Sequence, residues 1–269
     1  MKIGRIICGV GLLLPVVGGL LLGLFRDPLT MKLPSMLVAP SIAMPFGTDH
    51  LGRDILARVA HGFFWDLVLG LSVVVLSAVI GIALGMVAGY CDRRIDALII
   101  LVMDILMSLP HIVLAMVIMI YLSYGAEALV LSLVLSGWVK YARIVRAQTY
   151  SLKKEDFIIC ERVLGADTLF ILSRHILPNV LPAIVGLAAL HLGHTLLSIA
   201  ALGFLGLGLQ PPSPEWGTMI MESRPYIMRA PWTAVFPGLC IFFFICVFTV
   251  IGRYLDRRFN ATGESNADY

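Results

Sequence analysis

The chain has 269 residues, of which 59% are hydrophobic and 14% charged, with a formal net charge of +3 and a mean hydropathy of +0.93. This composition excludes an ordinary soluble globular domain and indicates an integral membrane protein. The five cysteines form no CxxC pair, which favours small apolar side chains over a metal site or a disulfide framework.

Five or six apolar blocks follow one another along the chain. They cover residues 6–25, 67–89, 98–122, 128–139, 180–209 and 233–251, the fourth being short and ending in charge. A membrane-spanning helix needs about 20 mainly apolar residues, so each block is a candidate span. The first block is too long for a secretory signal and lacks a small-x-small cleavage site, which favours a retained helix. We therefore expect an all-α integral membrane protein with six transmembrane helices.

The distribution of Lys and Arg predicts the orientation of these helices, because cytoplasmic loops are enriched in both residues. With the N-terminus inside, 14 of the 20 Lys and Arg fall in inner segments, including Lys140, Arg143 and Arg146. Both termini are therefore predicted to be cytoplasmic. Residues 46–58 are then predicted to lie outside.

The segment FGTDHLGRDILAR, residues 46–58, follows a proline-rich linker and is predicted to begin a short external helix. Thr48 or Asp49 is a suitable N-cap, and Asp49/Arg53 and Asp54/Arg58 are both spaced i,i+4 with the acid first. Residues 1–65 are thus predicted to contain the first helix, the linker and this external helix.

A metal site in the same segment is the alternative. His50, Asp54 and His61 fall near one face of the predicted helix. Arg58 lies on that face too, where it would repel a cation and pair with Asp54, so a capped helix paired within itself is favoured.

The second and third blocks each carry one unusual feature. Gly81, Gly85 and Gly89 form a doubled GxxxG, which predicts close packing against another helix in this chain or in a second subunit. Asp104, followed by Pro110, lies within the third block. A carboxylate there indicates either a transport-path residue or an interior hydrogen bond to a neighbouring helix.

Residues 148–178 form the longest predicted cytoplasmic segment. Two amphipathic helical stretches flank Gly165, where a glycine marks a turn. Apolar side chains at such a turn need a partner to cover them.

The fifth block contains His191, His194 and Ser198 on one predicted polar stripe. They either line a pathway, where imidazole suits Ni²⁺, or hydrogen-bond to a neighbouring helix. A haem anchor using His111 with His191 or His194 is an alternative, but it would not account for the Gly165 loop. A secondary transporter would need internal repeats, and the sequence shows none.

Four stretches of this chain resemble the permease subunits of ABC importers of the dipeptide, oligopeptide and nickel group. They are GTDHLGRDILAR at residues 47–58, WVKYARIVR at 138–146, the Gly165 turn ending in Leu177 and Pro178, and FLGLGLQPPSPEWGTMI at 204–220. The chain departs from the family pattern in three places. Ile159, Cys160 and Glu161 replace the usual E-A-A triplet, His175 replaces an isoleucine, and Leu101 replaces an arginine common in relatives.

The resemblance implies a type I ABC importer permease fold and a pore-forming subunit that is not itself an enzyme. Residues 66–259 would form the five-helix core, with a coupling loop at 148–178, and 260–269 a cytoplasmic tail. The loop residues implied to contact an ATPase are Glu161, Arg162, Leu164, Gly165, Ala166, Asp167, Leu177 and Pro178.

The implied partners are a second, related permease, two cytoplasmic ATPases and an extracytoplasmic binding protein. This chain would bind no cofactor, and ATP and Mg would be used by the ATPases. His191 and His194, with Ser198 and Asp104, are the candidate pathway residues, and the two histidines are candidate transient metal ligands. The resemblance favours nickel, free or chelated, with a dipeptide or oligopeptide as the alternative.

Overall fold

The computed structural model describes residues 21–122 and 125–264, with side chains to Arg258. This part of the chain is helical apart from its loops and one isolated bridge between Thr48 and Asp54. The α-helices are α1 (Ile55–Tyr90), α2 (Arg93–Met107), α3 (His111–Leu122), α4 (Ala126–Leu152), α5 (Asp156–Val163), α6 (Thr168–Ile171), α7 (Leu177–Phe204), α8 (Trp216–Ser223) and α9 (Trp232–Glu264). A π-helical segment, Leu172–Ile176, joins α6 to α7.

Four continuous helical stretches are long and apolar enough to cross a membrane, and they contain α1, α4, the run from α6 through α7, and α9. This confirms a largely helical membrane protein. The first predicted span, residues 6–25, lies almost wholly outside the described residues.

The third apolar block forms two helices rather than the single span predicted over 98–122. α2 and α3 are bent by 89° at a short break. Pro110 lies in that break and has no N–H to continue a helical ladder. Ser108 ends α2 through its hydroxyl, which donates to the carbonyl of Ile105 at 2.7 Å.

The fourth helix is longer than the block at 128–139 that predicted it. α4 continues to Leu152, so Lys140, Arg143 and Arg146, which were predicted to lie in an inner segment, lie within a helix. The run of apolar residues did not predict this extension, because charged residues begin at Lys140. Arg143 and Arg146 pair with acids of α2, which explains how the helix tolerates them.

The doubled GxxxG of α1 packs against α4 of the same chain. A Cβ on Gly85 would lie 2.7 Å from the carbonyl oxygen of Ala142, and one on Gly89 would lie 2.7 Å from that of Arg146. Side chains at these positions would collide with the α4 backbone. The predicted close packing is confirmed, and the neighbour is within this chain.

The chain divides into two compact units. The first contains the described residues up to Gly70 and those of Leu122–Leu129 and Leu196–Val247. The second contains Leu71–Tyr121, Val130–Thr195 and the described residues from Phe248 onward. The buried core of the second unit includes Tyr141, Val145, Ile158, Ile171, Ile176, Val180 and Ile184.

Candidate functional site

The turn at Gly165, in the second unit, has the form that the sequence predicts. Its φ of +87° lies in the left-handed region that favours glycine, and its N–H donates to the carbonyl of Arg162 at 3.1 Å. The N–H of Ala166 donates to the carbonyl of Glu161 at 3.0 Å, so the last turn of α5 is closed by the backbone. Asp167 then precedes α6 at its N-cap position.

Large apolar side chains surround this turn and point outward. Val163 is 82% exposed, Leu164 83% and Leu169 71%. An exposed apolar patch of this kind is typical of a protein-binding surface. We call Val163, Leu164 and Leu169 the coupling surface.

The opposite face of α5 is fixed to the rest of the second unit. Ile158 is fully buried in the core that also contains Ile171, Ile176 and Tyr141. The Arg162 guanidinium donates to the Tyr90 hydroxyl at 3.4 Å, and His175 Nε2 lies 3.4 Å from Glu161 Oε1. His175, the departure from the family's isoleucine, therefore contacts α5 directly. These contacts join α5 to the buried core of the second unit.

Of the candidate pathway residues, His191 is the most firmly placed. It is 6% exposed, and its Nδ1 lies 3.0 Å from the Tyr141 hydroxyl of α4. A Cβ on Gly137 would lie 3.0 Å from His191 Cε1 and 2.6 Å from Ser77 Oγ. Because Gly137 of α4 has no side chain, the Ser77 hydroxyl of α1 and the His191 imidazole of α7 can both approach α4 at this position.

The other three candidates differ from His191 in their surroundings. His194 is exposed, whereas His191, Thr195 and Ser198 are buried, so the residues of the predicted polar stripe differ in their exposure. Ser198 belongs to the first unit. Asp104 pairs with Arg143 at 2.7 Å, and both side chains are about half exposed. An ion pair therefore exists at Asp104 despite Leu101, because its arginine comes from α4.

The external segment, in the first unit, is more tightly built than the sequence predicts. α1 begins at Ile55, so the prediction that Thr48 or Asp49 caps a helix is wrong. Asp54 takes that role, because its Oδ1 accepts from the N–H of Leu56 at 2.9 Å. The Thr48 hydroxyl instead donates to the carbonyl of Ser35, at 2.5 Å.

Four charged side chains form what we call the ion network, namely Asp49, Arg53, Arg58 and Glu222. Asp49 Oδ2 accepts from Arg53 Nε and from Arg58 Nη1, each at 2.6 Å. Glu222 Oε2 of α8 accepts from Arg53 at 3.1 Å and from Arg58 at 2.9 Å. Both arginines are 1% exposed, so two buried cations are each held by two carboxylates. The predicted Asp49/Arg53 pair is confirmed.

The predicted Asp54/Arg58 pair is wrong. Asp54 pairs with Arg26 at 2.7 Å, and Arg58 turns to Asp49 and Glu222. Burial alone would raise the pKa of Asp49, but the Arg58 guanidinium and the backbone and side chain of Arg53 hold it below its ordinary value. Asp49, His50 and Glu222 lie close enough to share a metal ion, but the two arginines already neutralise these carboxylates.

Sequence reasoning missed a second buried cluster in the first unit, around Glu215. This residue is fully buried and caps α8, accepting from the N–H of Gly217 at 2.6 Å and that of Thr218 at 2.8 Å. A Cβ on Gly208 would lie 3.0 Å from its carboxylate, and one on Gly203 would lie closer still. Burial raises the pKa of Glu215. The sequence carried little signal for this cap, because glutamate is not among the residues that are preferred at a helix N-cap.

The side chain of Asp66 joins α1 to the start of α8 beside this cap. Asp66 Oδ2 accepts from the backbone N–H of Trp216 at 3.3 Å. The Trp216 indole N–H donates to the carbonyl of Val59 at 2.9 Å, and the side chain is 1% exposed. Through Trp216, the stretch 204–220 is therefore hydrogen-bonded to α1.

Comparison with known proteins agrees with this arrangement. The chain is 40% identical over 228 residues to a di/tripeptide transport system permease protein of Pseudomonas aeruginosa, covering 85% of this chain and 75% of the relative. It is 34% identical over 229 residues to a nickel transport system permease protein of Escherichia coli, covering 85% and 83%. It is 38% identical over 213 residues to a glutathione transport system permease protein of Pectobacterium atrosepticum, covering 79% and 71%.

Solved structures show the same fold. A chain of the inward-facing MetNI methionine ABC transporter superposes with a TM-score of 0.60 at 17% identity, covering 75% of this chain and 96% of that one. The family model for the binding-protein-dependent transport system inner membrane component matches residues 81–261. With the relatives above, this match shows that the chain belongs to that family, within the dipeptide, oligopeptide and nickel group of ABC importer permeases.

Proposed function

We propose that this chain is one of two related pore-forming subunits of an ATP-driven importer, and that its substrate is a short peptide. The family itself implies ATPase and substrate-binding partners and a membrane-embedded, non-enzymatic role. The heterodimer and the cytoplasmic location of both termini are parts of the proposal.

The observation that carries the proposal is the coupling surface. Its three side chains are exposed at a rigid turn, while Ile158 on the same helix is buried in the core of the second unit. An ATPase that covers Val163, Leu164 and Leu169 would move α5 together with α4 and α7. Closure of the ATPases on ATP would then switch the pathway between its two sides as a rigid-body motion.

A peptide is favoured over a free metal ion as the substrate. Two of the candidate pathway residues are already engaged, His191 by Tyr141 and Asp104 by Arg143. Relatives named for peptide and glutathione transport are 38–40% identical, against 34% for the nickel relative.

Nickel, free or chelated, is the second candidate. His191 keeps Nε2 for a ligand, and His194 lies within electrostatic range of it. Imidazole nitrogen is a preferred ligand of Ni²⁺.

Reconstitution separates the two candidates. Proteoliposomes with this chain, its cognate permease, ATPases and binding protein would be given a labelled dipeptide and ⁶³Ni²⁺ in parallel. We expect ATP-dependent dipeptide uptake. Nickel uptake without dipeptide uptake would overturn the peptide assignment, and uptake that persists without the ATPases would overturn the importer assignment.

A further inference from the structure

Two buried carboxylates serve the N-terminus of α8, within the first unit. Asp66 Oδ2 accepts from the N–H of Trp216 at 3.3 Å. Glu215 accepts from the N–H of Gly217 at 2.6 Å and from that of Thr218 at 2.8 Å. These are the first three N–H groups of α8. Two acids that are far apart in the sequence therefore meet at one helix end, and both side chains are buried.

These two carboxylates have no cation beside them. Among the described residues, no Lys, Arg or His side chain lies within 4.0 Å of either one. The charged and titratable side chains nearby on α1 and α8, or just after α8, have other partners, namely Arg58, His61, Glu222 and Arg224. One helix N-terminus carries about half a positive charge, which offsets part of one carboxylate's charge and leaves a second uncompensated.

The hydrogen bonds of Thr218 require a proton on Glu215. The Thr218 hydroxyl oxygen lies 2.9 Å from the Leu209 carbonyl oxygen and 2.7 Å from Glu215 Oε2. Both are hydrogen-bond distances, but a hydroxyl group has one hydrogen. The carbonyl can only accept, so that hydrogen is donated to Leu209. The shorter contact is then completed by a hydrogen on Oε2, which Glu215 donates to the Thr218 hydroxyl oxygen.

The other oxygen of Asp66 gives a second, independent indication. Oδ1 is buried and has no hydrogen-bond partner within the part of the chain that the structure describes. Burying an ionised carboxylate without partners costs far more free energy than burying a neutral polar group. When two carboxylates share a site, the repulsion between their charges also disfavours ionising both. The pair is therefore expected to keep a proton.

We propose that Asp66 and Glu215 form a proton-binding site in which the pair together holds one proton and one negative charge. In the arrangement above, the proton lies on Glu215 Oε2. Loss of this proton places two uncompensated negative charges where α1 meets the start of α8, and it removes the hydrogen bond to the Thr218 hydroxyl. The contact between α1 and α8 is thus weakened as the pH rises.

The sign of the pH dependence follows from Glu215. Burial raises its pKa in the folded protein. The stability that the proton contributes is therefore fully present below the ordinary glutamate pKa, about 4.3, and is lost as the pH rises through the folded pKa. This direction is opposite to that of Asp49, whose pKa the arginines hold low.

The test uses two variants that each remove one carboxylate, Asp66→Asn and Glu215→Gln. Asp49→Asn is the matched control, because Asp49 is a buried carboxylate of the same unit but is held by Arg53 and Arg58. The complex of this chain with its cognate permease and ATPases would be purified with each variant. Infrared difference spectra between wild type and variant would detect the carbonyl band of a neutral carboxylic acid, which a carboxylate lacks. Tm would be measured against pH.

We expect the wild type to show a neutral-acid band at neutral pH that disappears in Asp66→Asn and in Glu215→Gln and persists in Asp49→Asn. Between about pH 5 and about pH 7, the Tm of either variant relative to wild type should rise by about 3–5 °C per pH unit, because only the folded wild type retains the proton. Asp49→Asn should show no such rise.

The two readouts can each overturn the inference. Difference spectra that contain only carboxylate bands would show that both acids are ionised. A Tm difference that does not change with pH would show that folding takes up no proton here. Because the slope and the band are compared rather than the absolute Tm, a variant that is merely less stable still gives a decision, and either variant suffices if the other does not fold.

Discussion

Removing the charge of Asp49 should destabilise the protein more than removing any exposed carboxylate. Asp49→Asn keeps an oxygen to accept from the N–H of Leu51 but places an amide against Arg53 and Arg58, which are both 1% exposed. Two charge-assisted hydrogen bonds of 2.6 Å are lost. Breaking a buried ion pair costs about 3–5 kcal/mol. Glu222 still offsets part of the charge, so we take the lower value, about 3 kcal/mol.

The unfolding temperature should fall accordingly. At about 2–4 °C per kcal/mol for a chain of this size, 3 kcal/mol lowers Tm by about 6–12 °C. Tryptophan fluorescence of the purified complex during heating would measure it. Asp27→Asn is the matched control, because Asp27 also accepts from the N–H two residues ahead but is exposed, and no arginine of the described residues pairs with it. It should leave Tm unchanged.

The pH dependence gives an independent check. The pKa of Asp49 is lowered in the folded protein, so the stability it contributes is present above its unfolded pKa, about 4, and lost as the pH falls further. The Tm gap between wild type and Asp49→Asn should narrow below about pH 4. A gap under about 2 °C at neutral pH, or one that widens with acid, would refute the reasoning.

Three further changes test other parts of the structure. Gly165→Asp should uncouple ATP hydrolysis from uptake while membrane insertion persists. A left-handed φ costs an L-residue about 1–3 kcal/mol, and the new charge lies beside the coupling surface. Normal uptake would show that this turn does not contact the ATPase. Gly85→Ala should lower the yield of folded protein, whereas Gly238→Ala, with no atom within 4 Å of the new Cβ, should not; equal yields measured by size-exclusion chromatography would contradict the α1–α4 contact. His194→Ala should reduce ⁶³Ni²⁺ uptake if nickel is a substrate, and unimpaired nickel uptake would return His194 to a packing role.

The sequence was most informative where one residue type settles the local geometry. Gly165 needed a left-handed turn, and the Gly81, Gly85 and Gly89 spacing needed a close helix, and both predictions are confirmed. Apolar length also identified most of the spanning helices. It underestimated the length of α4, because the apolar block ends at Val139 whereas lysine and arginine continue a helix readily.

The external segment shows the limit of local pairing rules. The i,i+4 rule applies within helices, and both predicted pairs begin before α1. Asp49 and Arg53 nevertheless meet in the loop, whereas Asp54 caps α1 and pairs with Arg26. Glu222 lies 164 residues after Arg58, so the sequence of the external segment does not predict that Arg58 pairs with it. The buried cap at Glu215 could not be predicted from the sequence, because glutamate is not a preferred N-cap residue.

The length of α1 has a consequence for where its polar end lies. Its 36 residues rise about 54 Å, at about 1.5 Å each, whereas the hydrocarbon of a bilayer is about 30 Å thick. If Arg93 and Arg94, just beyond its C-terminal end, mark one membrane surface, the hydrocarbon ends about 20 residues earlier, near Gly70. Roughly the first 15 residues then stand clear of the lipid tails. Trp65 then falls at the headgroup level, and Arg58 lies beyond the hydrocarbon of the bilayer.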